Sequence, residues 1–135
     1  MVRSQELSMT HYLVQGSRYI TALLFIVFGL NGLFGFFSPP PIEVEAAKSF
    51  LSGLASSGYF IPFLKVSEIL GGLMLLSEFF LPLGLLILAP IVINIFLFHL
   101  FAAGGLQGME SGIVALMVIV AWGYKKRFAS LFQSK

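Results

Sequence analysis

Tyr59-Phe-Ile-Pro-Phe-Leu-Lys-Val-Ser-Glu-Ile-Leu-Gly-Gly-Leu-Met-Leu-Leu76 is the stretch on which the fold turns. It is apolar enough to cross a bilayer, yet it carries Lys65 and Glu68. No other expected span holds a formal charge in its apolar interior. A charge at the centre of a span costs ~2.5–3.5 kcal/mol on insertion scales. Residues three apart share a helical face, so the economical reading is a neutralised Lys65–Glu68 pair turned away from lipid.

Composition says what surrounds this stretch. Of 135 residues, 58% are hydrophobic and 10% charged, against about 25% charged in a soluble domain. So short a chain cannot hide this much apolar surface in a core, and lipid must serve as its solvent. A span takes about 20 apolar residues, and the apolar stretches add up to four. The expected fold is an all-α, integral membrane four-helix bundle forming a single domain. The chain has no Cys, which removes thiol exchange and iron–sulfur chemistry. A net charge of +2, without a basic stripe interleaved with aromatics, gives nucleic-acid binding no support.

Outward from the central stretch, Ser77-Glu78 interrupts the apolar run and Pro82 opens a new helix. The run therefore divides into span two, residues 59–77, and span three, residues 81–101. Pro90 lies inside span three and should kink it. Span one covers residues 17–37. It is too long for a signal-peptide core and no small-x-small site follows it, so it should stay as an anchor. Gly29, Gly32 and Gly35 recur along its outer half and would admit a close neighbour. Ser38-Pro-Pro-Pro41 ends it. Span four, residues 111–128, is the shortest and needs tilt or local thinning. Between spans one and two, Phe50, Leu51 and Leu54 share a helical face beside Glu43, Glu45 and Lys48, which fits a short amphipathic helix on the membrane surface.

Residues 1–16 read as a short polar tail, helical from about Ser8. Arg3, Arg18, Lys125, Lys126, Arg127 and Lys135 make six of the eight basic residues and lie toward the chain ends. Four spans put both ends on one side, and the positive-inside rule makes that side the cytoplasm.

At ~1.5 Å of rise per residue, Asn31, Lys65, Glu68, Asn94 and His99 all fall in the outer half of the bilayer, on three separate spans. The inner halves are bland, as at Ala22-Leu-Leu-Phe25 and Leu73-Met-Leu-Leu76. Buried polar groups need partners, so these five form the candidate ligand-binding pocket. Each has a plainer structural reading. Lys65–Glu68 then fixes helix packing, Asn31 and Asn94 make interhelical amide bonds, and His99 bonds a backbone carbonyl. No residue is assigned a catalytic or metal-ligating role, and His11, the second histidine, lies at the opposite end of the topology.

The motifs Phe28-Gly-x-Asn-Gly, Pro39-Pro-Pro, Ser57-Gly-Tyr-x-x-Pro-x-x-Lys65-x-x-Glu68-x-x-Gly71-Gly, Pro82-Leu-Gly and Ala89-Pro-x-x-x-Asn94-x-x-x-x-His99 resemble the DoxX family across roughly residues 18–128. The resemblance implies a four-span bacterial inner-membrane bundle with both ends cytoplasmic. It also implies an association with membrane oxidoreductase complexes or with assembly tasks. Two main expectations follow. The first is a non-catalytic accessory or assembly subunit that binds lipid, another membrane protein or a second copy of itself, with no cofactor. The second is a quinone-binding subunit of a membrane oxidoreductase, in which Glu68 and His99 exchange protons. A small transporter is a third reading, weakened by the lack of inverted symmetry.

Overall fold

The computed structural model describes residues 1–133; Lys135, counted above among the basic chain ends, lies outside the described residues. Six helices follow one another: α1 (Val2–Phe34), α2 (Glu45–Ser56), α3 (Phe60–Ser77), α4 (Leu81–Phe101), α5 (Met109–Gly123) and α6 (Lys125–Leu131). Three of them, α1, α3 and α4, are long and apolar enough to cross a membrane. At 15 residues α5 is shorter, about 22 Å by the helical rise. Large apolar side chains face outward along these helices, among them Leu73, Leu86, Ile93 and Val118. That is the surface expected where the surrounding medium is apolar.

The boundaries of α3 and α4 agree closely with the sequence reading, and α1 departs from it. The expected polar tail is helical from Val2 and runs unbroken into the first span. Once the apolar part is anchored, extending a helix adds a hydrogen bond per residue without a new nucleus, and no proline stands in the way. At its other end α1 stops at Phe34, short of the expected Phe37. Gly35 takes a left-handed conformation, φ 66°, and its N–H bonds the Asn31 carbonyl at 2.7 Å. This is the left-handed cap for which glycine is favoured. Gly35 is thus a stop signal, while Gly29 and Gly32 are contact points.

The expected fourth span divides at Tyr124 into α5 and α6. Pro90 sits within α4, which continues through it. The short helix expected between spans one and two is present as α2, and its own Ala47 is fully buried.

α1 and α4 each pack along both α3 and α5. The shared core consists of Ala22 and Phe25 of α1, Leu75 of α3, four residues of α4 from Leu81 to Val92, and Met117 and Val120 of α5. Here "inner" denotes the end holding the α3–α4 turn, the start of α1 and α6, and "outer" the opposite end. Small residues set the crossings. A Cβ on Gly72 would come within 2.9 Å of the Ala22 carbonyl oxygen, and one on Gly84 within 3.1 Å of the Gly71 carbonyl. α3 therefore lies against α1 and α4 at backbone distance toward the inner end.

The turn that enforces this closeness is strained. Glu78 and Phe80, neither of them glycine, have φ of 62° and 55°. Such conformations cost on the order of 1–3 kcal/mol each and need outside support.

Candidate functional site

Close packing at the inner end has a counterpart outside. α3 and α4 wall a half-open cavity of about 720 Å³ toward the outer end, and α2 lines it from above. That volume falls in the range of about 300–1,000 Å³ typical of small-molecule sites. Its wall is mostly aliphatic and aromatic. Phe50, Leu51 and Leu54, the apolar face read from α2, form the roof. Phe50 stacks on Phe98 of α4 with ring centroids 5.6 Å apart. Four of the five residues expected in a common pocket line this cavity: Lys65, Glu68, Asn94 and His99.

Each reaches it for a local reason. Lys65 and Glu68 lie one turn apart on α3. The Lys65 Nζ donates to both Glu68 carboxylate oxygens at 3.1 Å. The carboxylate is nearly inaccessible to solvent while the ammonium is partly exposed. The aliphatic stem of Lys65 lies over Gly32 of α1, where any Cβ would collide with it. Gly32 thus makes room for the long side chain to bend toward Glu68.

His99, on the last turn of α4, holds two contacts. Its Nδ1 is 2.9 Å from the Ile95 carbonyl oxygen, and its Nε2 is 3.2 Å from a carboxylate oxygen of Glu110. Both ring nitrogens thus face oxygen atoms. Glu110 was not among the expected site residues. It lies in the first turn of α5, just ahead of the apolar stretch that begins at Ser111, and it is only 2% exposed. Burial pushes its carboxyl up. The backbone N–H groups of Glu110, Gln107 and Gly108, together with the His99 ring, outweigh burial and hold it below the ordinary carboxylate value. A single acidic residue after a Gly-rich turn reads as loop, and only the folded return of α5 against α4 brings it to His99.

Asn94 differs from these three. It lines the cavity and is exposed. Its carboxamide has no hydrogen-bond partner among the described residues, although no buried side-chain nitrogen or oxygen is left unpaired there.

Asn31, the fifth expected pocket residue, lies elsewhere. Its Nδ2 donates to the Phe37 carbonyl at 3.0 Å, and its Oδ1 accepts from the Phe37 N–H at 2.7 Å. It closes the turn after α1 and is absent from the cavity wall. The αL cap at Gly35 turns the backbone where Asn31 satisfies itself locally.

A second polar cluster was missed at the inner end. Arg18, counted among the basic residues toward the chain ends at the start of span one, is buried at 3% exposure. Its Nη1 donates to the Leu75 and Leu76 carbonyls at 2.7 and 2.9 Å, capping the end of α3. Its Nη2 pairs with Glu78 at 3.3 Å. Tyr124 and Arg127 also donate to Glu78, and Gln15 bridges Arg18 to Tyr124. Glu78 is the strained turn residue, so these donors secure the conformation that keeps α3 and α4 close. Among the described residues no group of three or more His, Asp or Glu could hold a metal ion.

The chain is 30% identical over 125 residues to the uncharacterized protein YwoB of Bacillus subtilis (strain 168), a match covering 87% of this chain and 80% of that protein. No protein-family model matches the chain. No solved structure matches it.

Proposed function

This chain belongs to the same family as YwoB, and on that premise we propose an integral membrane accessory protein, without catalytic chemistry of its own, that holds a membrane-soluble molecule in its outer cavity. The observation that carries this reading is a ligand-sized apolar cavity between α3 and α4 whose wall includes one unpartnered carboxamide, Asn94. A polar group facing an apolar medium needs a partner, and a molecule in the cavity supplies one.

The accompanying architecture is a four-span bundle, with α5 and α6 together forming the last crossing. Arg3, Arg18, Lys125, Lys126 and Arg127 gather at the inner end, against Glu6 and Glu78. The positive-inside rule then favours an inner-membrane protein with both termini cytoplasmic. The motif resemblance to DoxX proteins supports the same topology and an association with other membrane proteins or with further copies of the chain.

The competing reading makes Glu68 and His99 proton carriers for a bound quinone. Their geometry favours fixed roles. Both oxygens of Glu68 are engaged by Lys65, and both nitrogens of His99 face acceptors. The test is purification of the full chain in polymer nanodiscs cut from native membranes, followed by mass spectrometry of bound lipids, quinones and proteins. Near-stoichiometric retention of a lipid-soluble molecule, with no quinol oxidation by the purified chain, is the expected result. Quinol turnover that disappears in Glu68→Gln overturns the non-catalytic reading.

A further inference from the structure

The charges around the outer cavity specify more than its volume does. The cavity wall carries two groups able to be cationic, Lys65 and His99. Each already faces a carboxylate, Glu68 at 3.1 Å and Glu110 at 3.2 Å. These four side chains come from α3, from the end of α4 and from the first turn of α5. The covering face of α2 contributes Phe50, Leu51 and Leu54, none of them ionisable. No cation on the wall is left to balance a bound anion. A phosphate there would have to break an existing pair and strand a carboxylate in an apolar setting, which is costly.

What remains open is neutral. Asn94 offers an amide N–H pair as donor and a carbonyl oxygen as acceptor, on the same wall as the Lys65–Glu68 pair. We infer that the cavity selects an amphiphile with an uncharged, hydrogen-bonding headgroup, held at Asn94, and a long apolar tail lying between α3 and α4. Anionic phospholipids are rejected, because their phosphate arrives without a counter-charge and finds none free on the wall. Selectivity here comes from charge already paired within the protein, since a ligand that adds net charge finds no counter-ion.

This inference rests on the proposed ligand-holding role and is tested separately from it. The full chain is reconstituted in nanodiscs of a zwitterionic carrier lipid doped with dioleoylglycerol or with dioleoylphosphatidylglycerol. The acyl chains are identical, so any difference in retention reads the headgroup. Native mass spectrometry counts the molecules retained per chain. Saturable retention of one dioleoylglycerol is expected, with no saturable binding of dioleoylphosphatidylglycerol. Asn94→Leu should weaken retention roughly five- to tenfold, the scale of one lost hydrogen bond. Because Asn94 is exposed and makes no side-chain bond within the described residues, this change leaves folding intact. Asn94→Lys adds one uncompensated cation and should turn the preference toward dioleoylphosphatidylglycerol. Equal or stronger binding of dioleoylphosphatidylglycerol by the unaltered protein overturns the headgroup inference alone. Dioleoylglycerol binding that ignores Asn94→Leu overturns the assigned anchor, and an unchanged preference in Asn94→Lys overturns the charge-balance argument. Failure of both probes to saturate removes the ligand-holding role itself.

Discussion

Replacing Lys65 with Met removes one ammonium and little else, since the methionine stem can still lie over Gly32. The Glu68 carboxylate then loses the donor to both of its oxygens, while remaining 3% exposed. Breaking a buried pair this way costs about 3–5 kcal/mol when the remaining charge must stay. A carboxylate has an exit, because it can take up a proton. From an ordinary value near 4.3 and 1.36 kcal/mol per unit, protonation costs ~3.7 kcal/mol at pH 7 but only ~1 kcal/mol at pH 5. The penalty of Lys65→Met is therefore capped at about 3–4 kcal/mol at neutral pH and shrinks on acidification, to about 1 kcal/mol at pH 5. Lys65→Met combined with Glu68→Leu removes both charges and should recover most of the loss at pH 7, because an apolar replacement of a buried pair is often neutral. The assay is reversible unfolding in mixed micelles by titration with sodium dodecyl sulfate, run on the unaltered chain, both single variants and the double variant at pH 5 and 7. Single and double variants that are equally damaged at pH 7, or a single-variant loss that does not change with pH, would refute the assignment of Lys65–Glu68 as a packed ion pair.

Three further outcomes are expected. Arg18→Gln should destabilise the chain by about 3 kcal/mol in the same titration, since it uncaps two carbonyls of α3 and removes a buried partner of Glu78; a change under about 0.5 kcal/mol would mean that the network is incidental. Gly72→Ala should cost ~1–3 kcal/mol by forcing α3 off the Ala22 backbone, while Gly112→Ala, with open space around it, should stabilise by ~0.5–1 kcal/mol. For Glu110, held below its ordinary carboxylate value of 4.5, the sign is that of a depressed acid: its contribution is complete above pH 4.5 and lost as pH falls through the lower folded value. Melting temperatures measured from pH 6 to 3 should therefore fall more steeply in the unaltered chain than in Glu110→Gln.

Helix limits were legible because apolar length, proline and glycine punctuate the chain. Leu81–Phe101 is the clearest case, bounded by a proline-marked start and a Gly-rich end. Direction around the helix axis was less legible. Asn31 and Lys65 lie at similar depth, yet one turns to its own backbone and the other to Glu68. Arg18 and Glu110 were hidden for a related reason. Each sits at the edge of an apolar stretch, where a charged residue ordinarily faces water. Only contacts distant in sequence, Arg18 with Leu75 and Glu110 with His99, show otherwise.

The two polar clusters acquire a common role through α3. At its inner end Arg18 grips the last carbonyls, and at its outer end Lys65 leans across Gly32 of α1 onto Glu68. Between them Gly71 meets Leu88 of α4 and Gly72 meets Ala22 and Ile26 of α1. A helix pinned at both ends and seated on small residues in the middle has little freedom to rotate. Rotation by one residue position, about 100° on an α-helix, would carry Glu68 off the cavity wall. The inner network thus does more than hold a strained turn. It fixes the angle at which α3 presents its one carboxylate, and with it the balance of charge that decides what the outer cavity admits.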